Sequence, residues 1–241
     1  MKALIDADIV AYRVACTLGE DDAADYAYAR TEDLIDHILV NTEATEYHLY
    51  LTGKDNYRYT IYPEYKAHRP KEKPFWLEKI RQYLIANFNA EVIDGQEADD
   101  ALGIAQTTDT IICSIDKDLL MIPGMHYNFV KDEFIEVDHY NAMIHFYMQC
   151  LVGDRADNIK GIPGIGVKKA ERILENCYTE QQFFNAVREA YSNDEELLMN
   201  GRVLWIRRKP NEDWKDIFNA LVQKQAGGTS VGSTEEAVSL S

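Results

Sequence analysis

Short apolar runs alternate with helix-period stretches through the first half of the chain, and the second half keeps the helical period almost throughout. Residues 3–7 (Ala-Leu-Ile-Asp-Ala), 47–52 (Tyr-His-Leu-Tyr-Leu-Thr), 90–94 (Ala-Glu-Val-Ile-Asp) and 110–115 (Thr-Ile-Ile-Cys-Ser-Ile) have the length and the apolar, β-branched or aromatic content of buried strands. Between them, Arg30 to Ala44 sets Leu34, Ile35, Ile38 and Leu39 on one helix face, and Pro74 to Phe88 does the same with Leu77, Ile80, Leu84 and Phe88. Strand alternating with helix predicts an α/β fold, a mostly parallel twisted sheet flanked by helices. Tyr127 to Val137, interrupted at Lys131-Asp132-Glu133, reads as a hairpin or edge pair, and from Asp138 the pattern is helical through 138–152, 166–176, 180–191 and 195–209. The expected organisation is an α/β core over 1–137, a helical region over 138–225, and a tail over 226–241 whose glycines, serines and threonines have nothing to pack and should be disordered.

With 241 residues, 46% of them apolar, the chain can bury a real core, while no apolar run is long enough to cross a bilayer. The opening Met1-Lys2-Ala3-Leu4-Ile5-Asp6 meets a carboxylate too early for a signal peptide, so a cytoplasmic protein with no membrane partner is expected. Cys16, Cys113, Cys150 and Cys177 are widely spaced, which speaks against a zinc site and a disulfide framework. A net charge of −16 argues against a generic polyanion binder. The charge is unevenly placed, however: residues 54–81 hold eight basic and four acidic side chains, so that segment carries +4 and the remainder −20.

The placement of the acids carries the chemistry. Asp6 closes the first apolar run with Asp8 beyond it; Glu97, Asp99 and Asp100 open a helix after the run ending at Asp94; Asp116 and Asp118 follow the run 110–115; and Asp154 and Asp157 stand three apart in a loop or helix start. In an open α/β sheet the carboxyl ends of parallel strands converge on one edge, so acids just past those ends can meet. Gathered carboxylates repel strongly unless a hard cation sits among them, and Mg²⁺ suits oxygen donors while leaving room for a phosphate. Single acids at helix starts are ordinary caps, but capping does not explain paired and tripled acids after successive strands.

Residues 57–69 interleave cations with Tyr57, Tyr59, Tyr62 and Tyr65. Arg58, Lys66 and Arg69 can clamp backbone phosphates, and rings such as Tyr65 can stack on unpaired bases, although the same string could be a loop with its tyrosines packed inward. Gly161-Ile162-Pro163-Gly164-Ile165-Gly166-Val167-Lys168-Lys169 is a tight turn feeding a helix. Its glycines let the backbone approach a phosphate, and Lys168 and Lys169 add charge.

These blocks resemble one family. Gly153-Asp154-Arg155-Ala156-Asp157-Asn158 and the following glycine turn are similar to its Gly-Asp-x-x-Asp-Asn and helix-hairpin-helix elements. Glu97-Ala98-Asp99-Asp100, Asp116-Lys117-Asp118-Leu119 and Tyr65-Lys66-x-x-Arg69 resemble further blocks in the family's order, across roughly residues 3 to 175. The family is that of the 5′ nuclease domain of bacterial DNA polymerase I and the free-standing bacteriophage 5′→3′ exonucleases and flap endonucleases. The resemblance implies a helical arch at about 54–88 and a C-terminal helix-hairpin-helix region holding duplex DNA. It also implies two Mg²⁺ ions, with Mn²⁺ able to substitute, held by Asp6, Glu97, Asp99, Asp116, Asp118, Asp154 and Asp157 with Asp100 in support. Lys66 and Arg69 would meet the scissile phosphate, and Gly164 and Gly166 the duplex backbone, with K⁺ at the hairpin. The substrates implied are DNA 5′ ends, flaps and branches, with RNA–DNA hybrid a further candidate; the chain would act as a monomer beside a separate polymerase, in the host cytoplasm if phage-encoded.

Two departures stand out. Where the family places an aspartate at the end of its second strand, the chain reads Leu51-Thr52-Gly53-Lys54-Asp55, leaving Thr52 as a weak neighbour or Asp55 to reach in. Its first motif continues Asp6-Ala7-Asp8, with Asp8 expected to be an ordinary cap. A metal-dependent ribonuclease, or a branched-DNA-binding module without cleavage, are the alternatives.

Overall fold

The computed structural model describes residues 1–70 and 72–228. In chain order the elements are β1 (Lys2–Asp6), α1 (Ala7–Ala15), α2 (Ala24–Thr42), β2 (Glu46–Thr52), α3 (Arg58–Ile61), α4 (Leu77–Phe88), β3 (Glu91–Ile93), α5 (Ala98–Ala105) and β4 (Thr110–Cys113). A 3₁₀ turn (Lys117–Met121), β5 (Gly124–Asn128), β6 (Glu133–Val137), α6 (His139–Val152), β7 (Gly153–Asp154) and β8 (Ile159–Lys160) follow, then α7 (Val167–Leu174), α8 (Glu180–Ala190), α9 (Asp194–Leu204) and α10 (Trp214–Gly228).

The main sheet has the order β3-β2-β1-β4-β5-β6, parallel except for the β5–β6 hairpin. Because side chains alternate along a strand, Ala3 and Ile5 of β1 join Leu49, Leu51, Ile111 and Cys113 on one face, against Val10 and Val14 of α1, Ile35 and Ile38 of α2, and Ile80 and Leu84 of α4. Leu4, Tyr50 and Ile112 face the other way, against Leu102 of α5 and the helices from α6 onward. Burial on both faces is why these strands read as near-continuous apolar runs. The C-terminal helices share this second cluster, which extends from Leu4 to Leu221 through a run of aromatic contacts, including Phe146 with Trp205 at 4.9 Å and Phe146 with Trp214 at 5.4 Å between ring centres. Gly201 lets α9 lie against the Trp214 ring, since a Cβ there would collide with it.

The chain runs outward from β1 to β2 and β3, then crosses to β4 and β5 on the other side of β1. The carboxyl ends of β1 and β4 therefore flank the point where the winding reverses, the position at which open α/β sheets build their sites.

Several elements depart from the expectations. Helix α1 is spelled largely by alanine and valine, whose spacing gave no clear helical stripe, and α2 begins at Ala24 rather than Arg30. Of the two alternatives for Asp154 and Asp157, the loop is the one found, a turn joining the short β7–β8 pair. Helix α10 continues to Gly228, past the expected start of the tail, and residues 229–241 of that tail lie outside the described residues. Among the described residues no helix is long and apolar enough to cross a membrane.

Candidate active site

Asp6 is the last residue of β1 and the N-cap of α1, its Oδ1 accepting the Ile9 N–H at 3.1 Å. Its Oδ2 accepts from Ser114 Oγ at 2.7 Å, and the same hydroxyl oxygen accepts the Asp116 N–H at 3.0 Å. Ser114 thus joins the acid at the end of β1 to the acid beyond β4; nothing in its sequence context marks it out. Asp116 caps the 3₁₀ turn by accepting the Asp118 N–H at 2.9 Å, and Asp118 accepts from Gln149 Nε2 on α6 at 2.6 Å. Helix α6 ends at Gly153, whose φ of 76° suits a residue without Cβ, and that turn delivers Asp154. Glu97 and Asp100 form a reciprocal capping box at the start of α5, with Asp99 in its first turn. Capping and gathering are therefore partly the same device here: Asp6, Asp116 and Asp154 are each fixed by the helix or turn they start.

The acids divide into two groups. Glu97 is paired with Lys66 and accepts the Tyr65 hydroxyl at 2.9 Å, while Asp157 accepts from Arg69 at 2.6 Å and Tyr65 at 2.8 Å. Lys66 also lies 3.7 Å from Asp157, and its backbone, at a φ of 56°, donates to the Asp157 carbonyl at 2.9 Å. Among the described residues Asp6, Asp99, Asp116, Asp118 and Asp154 have no ion-pair partner.

The electrostatics follow this division. Burial, then the charges of Asp8 and Asp116, push Asp6 up to about 7 against the hydrogen bonds from Ser114 and Ile9. Burial and the charges of Asp6, Asp116 and Glu97 hold Asp99 well above the usual carboxylate range, and burial with Asp116 and Asp154 raises Asp118 to about 8. Burial also acts to raise Glu97, but Arg58 and Lys66 outweigh it and leave that group lowered.

Four expectations need correction. Arg58 is no DNA contact: it is 2% exposed and bonded bidentately to Asp100, at 2.6 and 2.9 Å, and to the carbonyls of Val203 and Trp205. Tyr65 is buried with its hydroxyl on Glu97 and Asp157, so its ring is not offered to a base. Asp8 is not a cap; it accepts the Thr52 N–H at 2.8 Å and is ion-paired with Arg81. Finally, among the described residues no three acidic, histidine or cysteine side chains converge into a group that could hold one ion by themselves. A cation that keeps several waters and takes one or two carboxylates, as Mg²⁺ does, still matches the donor set of the five unpaired acids.

Thr52 stands at the end of β2, its Oγ1 accepting the Ala98 N–H at 2.9 Å and so holding α5 in place, while Asp55 is exposed and makes no side-chain bond among the described residues. Gly164, with a φ of 78°, and Gly166 lie on an exposed turn that leads into α7, whose first turn carries the exposed Lys168 and Lys169; Lys169 Nζ donates to the Gly164 carbonyl at 2.8 Å. A cavity of about 460 Å³ beside α6, walled by Leu120, Ile144 and Met148, is lined by none of the seven candidate acids.

No family model matches the chain. It is 30% identical over 152 residues to a 5′-3′ exonuclease of Mycoplasmopsis pulmonis, covering 54% of this chain and 50% of that protein. It is 27% identical over 219 residues to DNA polymerase I of Bacillus caldotenax, covering 77% of this chain and 24% of the polymerase. The chain is thus similar in sequence to a 5′-3′ exonuclease and to about a quarter of a bacterial DNA polymerase I. The fold agrees: a crystal structure of the bacteriophage T5 D15 flap endonuclease, in a pseudo-enzyme-product complex with DNA and metal ions, superposes with a TM-score of 0.68 at 16% identity over 95% of both chains. The chain spans half of the exonuclease it matches and about a quarter of the polymerase. Within this fold, the acids at the ends of β1 and β4 and the start of α5 lie at one edge of the parallel sheet, and the basic pair Lys66 and Arg69 borders them.

Proposed function

We propose that the chain is a divalent-metal-dependent, structure-specific 5′ nuclease that hydrolyses DNA phosphodiester bonds at 5′ ends, flaps and branches. The carrying observation is the division of the acids: five buried or half-buried carboxylates without a cation, bordered by two that already hold Lys66 and Arg69. In this reading Asp6, Asp99, Asp116, Asp118 and Asp154 hold Mg²⁺, with Mn²⁺ as a substitute. When bound, two such ions supply the Lewis acidity that activates a water and stabilises the leaving oxygen.

The protein's own groups do the rest. Glu97 and Asp157 keep Lys66 and Arg69 at the rim, and an incoming phosphate competes for those cations as its charge builds. Tyr65 bridges Glu97 and Asp157 and so fixes the separation of the two cation holders. Asp100, locked by Arg58, anchors the turn of α5 that bears Glu97 and Asp99. The exposed turn at Gly164 and Gly166, with Lys168 and Lys169, is the proposed contact to the duplex backbone and the proposed K⁺ site. The DNA and metal ions in the T5 complex support this assignment of partners.

The test is cleavage of a 5′-end-labelled flap duplex, with Mg²⁺ and with EDTA, by the native chain and Asp116→Ala. Metal-dependent release of short 5′ products, lost in the variant, is expected. Tight flap binding with no cleavage in any divalent metal would favour the binding module instead, and neither binding nor cutting would refute the assignment.

A further inference from the structure

One contact to the acid group comes from a side chain outside every motif. Gln149 lies on α6, one turn before Gly153, and its Nε2 donates to Asp118 Oδ1 at 2.6 Å. The residue is 8% exposed, and its Oε1 is buried without a hydrogen-bond partner. Leaving a buried carbonyl unsatisfied is destabilising, so a methionine of similar length would serve packing alone better. What an amide offers at this place is a donor without charge. Lys66, Arg69 and Arg81 each orient a carboxylate and bring it a positive charge; Gln149 orients Asp118 without bringing one.

We propose that Gln149 is a positioning residue for Asp118, fixing one carboxylate oxygen so that the group holds a set direction toward a divalent cation with no protein cation competing for it. This rests on the metal-dependent reading above. Partners that orient a ligand in this way typically account for about ten-fold or more in metal affinity.

The experiment follows free Mn²⁺ by electron paramagnetic resonance as it is titrated into the full, DNA-free chain, for the native protein, Gln149→Met and Asp118→Asn. Thermal unfolding in EDTA is measured alongside. Gln149→Met is expected to weaken Mn²⁺ binding about ten-fold while its Tm stays the same or rises, because the unsatisfied carbonyl is gone. Native Mn²⁺ affinity in Gln149→Met, with Asp118→Asn impaired, overturns the positioning role alone, whatever the Tm does. A native chain that takes up no Mn²⁺ overturns both this proposal and the reading beneath it. Should Gln149→Met fail to fold, Gln149→Asn, which keeps the amide but cannot reach as far, decides in the same way.

Discussion

Replacing Arg58 separates the role its sequence context suggests from the one its surroundings impose. The guanidinium makes four hydrogen bonds, two to Asp100 and one each to the carbonyls of Val203 and Trp205, at 2.6 to 2.9 Å, and both charged side chains are buried. Arg58→Met leaves the Asp100 carboxylate with only the backbone N–H groups of Glu97 and Arg207, and it strips two carbonyls of a donor. Removing one partner of a buried pair costs about 3–5 kcal/mol, and the freed carbonyls place the expectation at the upper end. With a urea m-value of about 2–3 kcal/mol/M, the unfolding midpoint should fall by roughly 1.7–2.5 M. Replacing the whole pair, as Arg58→Met with Asp100→Leu, should recover much of that loss, because apolar residues of similar volume often substitute for a buried ion pair at little net cost. The second assay is the salt dependence of flap binding. A lost phosphate contact lowers the slope of log K against log salt by about 0.9, whereas the loss of a buried strut leaves the slope alone. A stability loss below about 1 kcal/mol together with a slope lowered by about one would refute the structural assignment and return Arg58 to the DNA.

Two further outcomes follow from the same physics. Asp6 has its pKa raised to about 7, so between the ordinary carboxylate value and that point the folded state binds more protons than the unfolded one, and this group's contribution makes the metal-free chain less stable as pH rises. Asp6→Asn should therefore gain stability relative to the native chain between pH 4 and pH 7 in EDTA, as read by urea unfolding; a difference that does not change with pH would contradict the raised value. Gly201→Ala places a methyl group against the Trp214 ring in a filled core and should destabilise by about 1–3 kcal/mol, with a shift in near-ultraviolet circular dichroism; unchanged stability would mean that α9 and α10 can move apart freely.

The sequence by itself determined the strand and helix alternation, the parallel sheet and the candidate acids, because each rests on local rules: apolar period, turn glycines, and acids that start the element after a strand. The Asp116-x-Asp118 pair and the Asp154/Asp157 loop could be read this way, since capping geometry acts within three residues. What only the tertiary structure decided is which acids are paired with a protein cation and which are left without one. That choice depends on partners far along the chain: Arg58 meets Asp100 across 42 residues, Tyr65 meets Asp157 across 92, Ser114 meets Asp6 across 108, and Gln149 meets Asp118 across 31. No periodicity encodes those distances. A cation that reads as a DNA contact in sequence becomes a buried strut when packing places a carboxylate against it, and an unremarked glutamine becomes a partner of the site when α6 packs over the turn after β4.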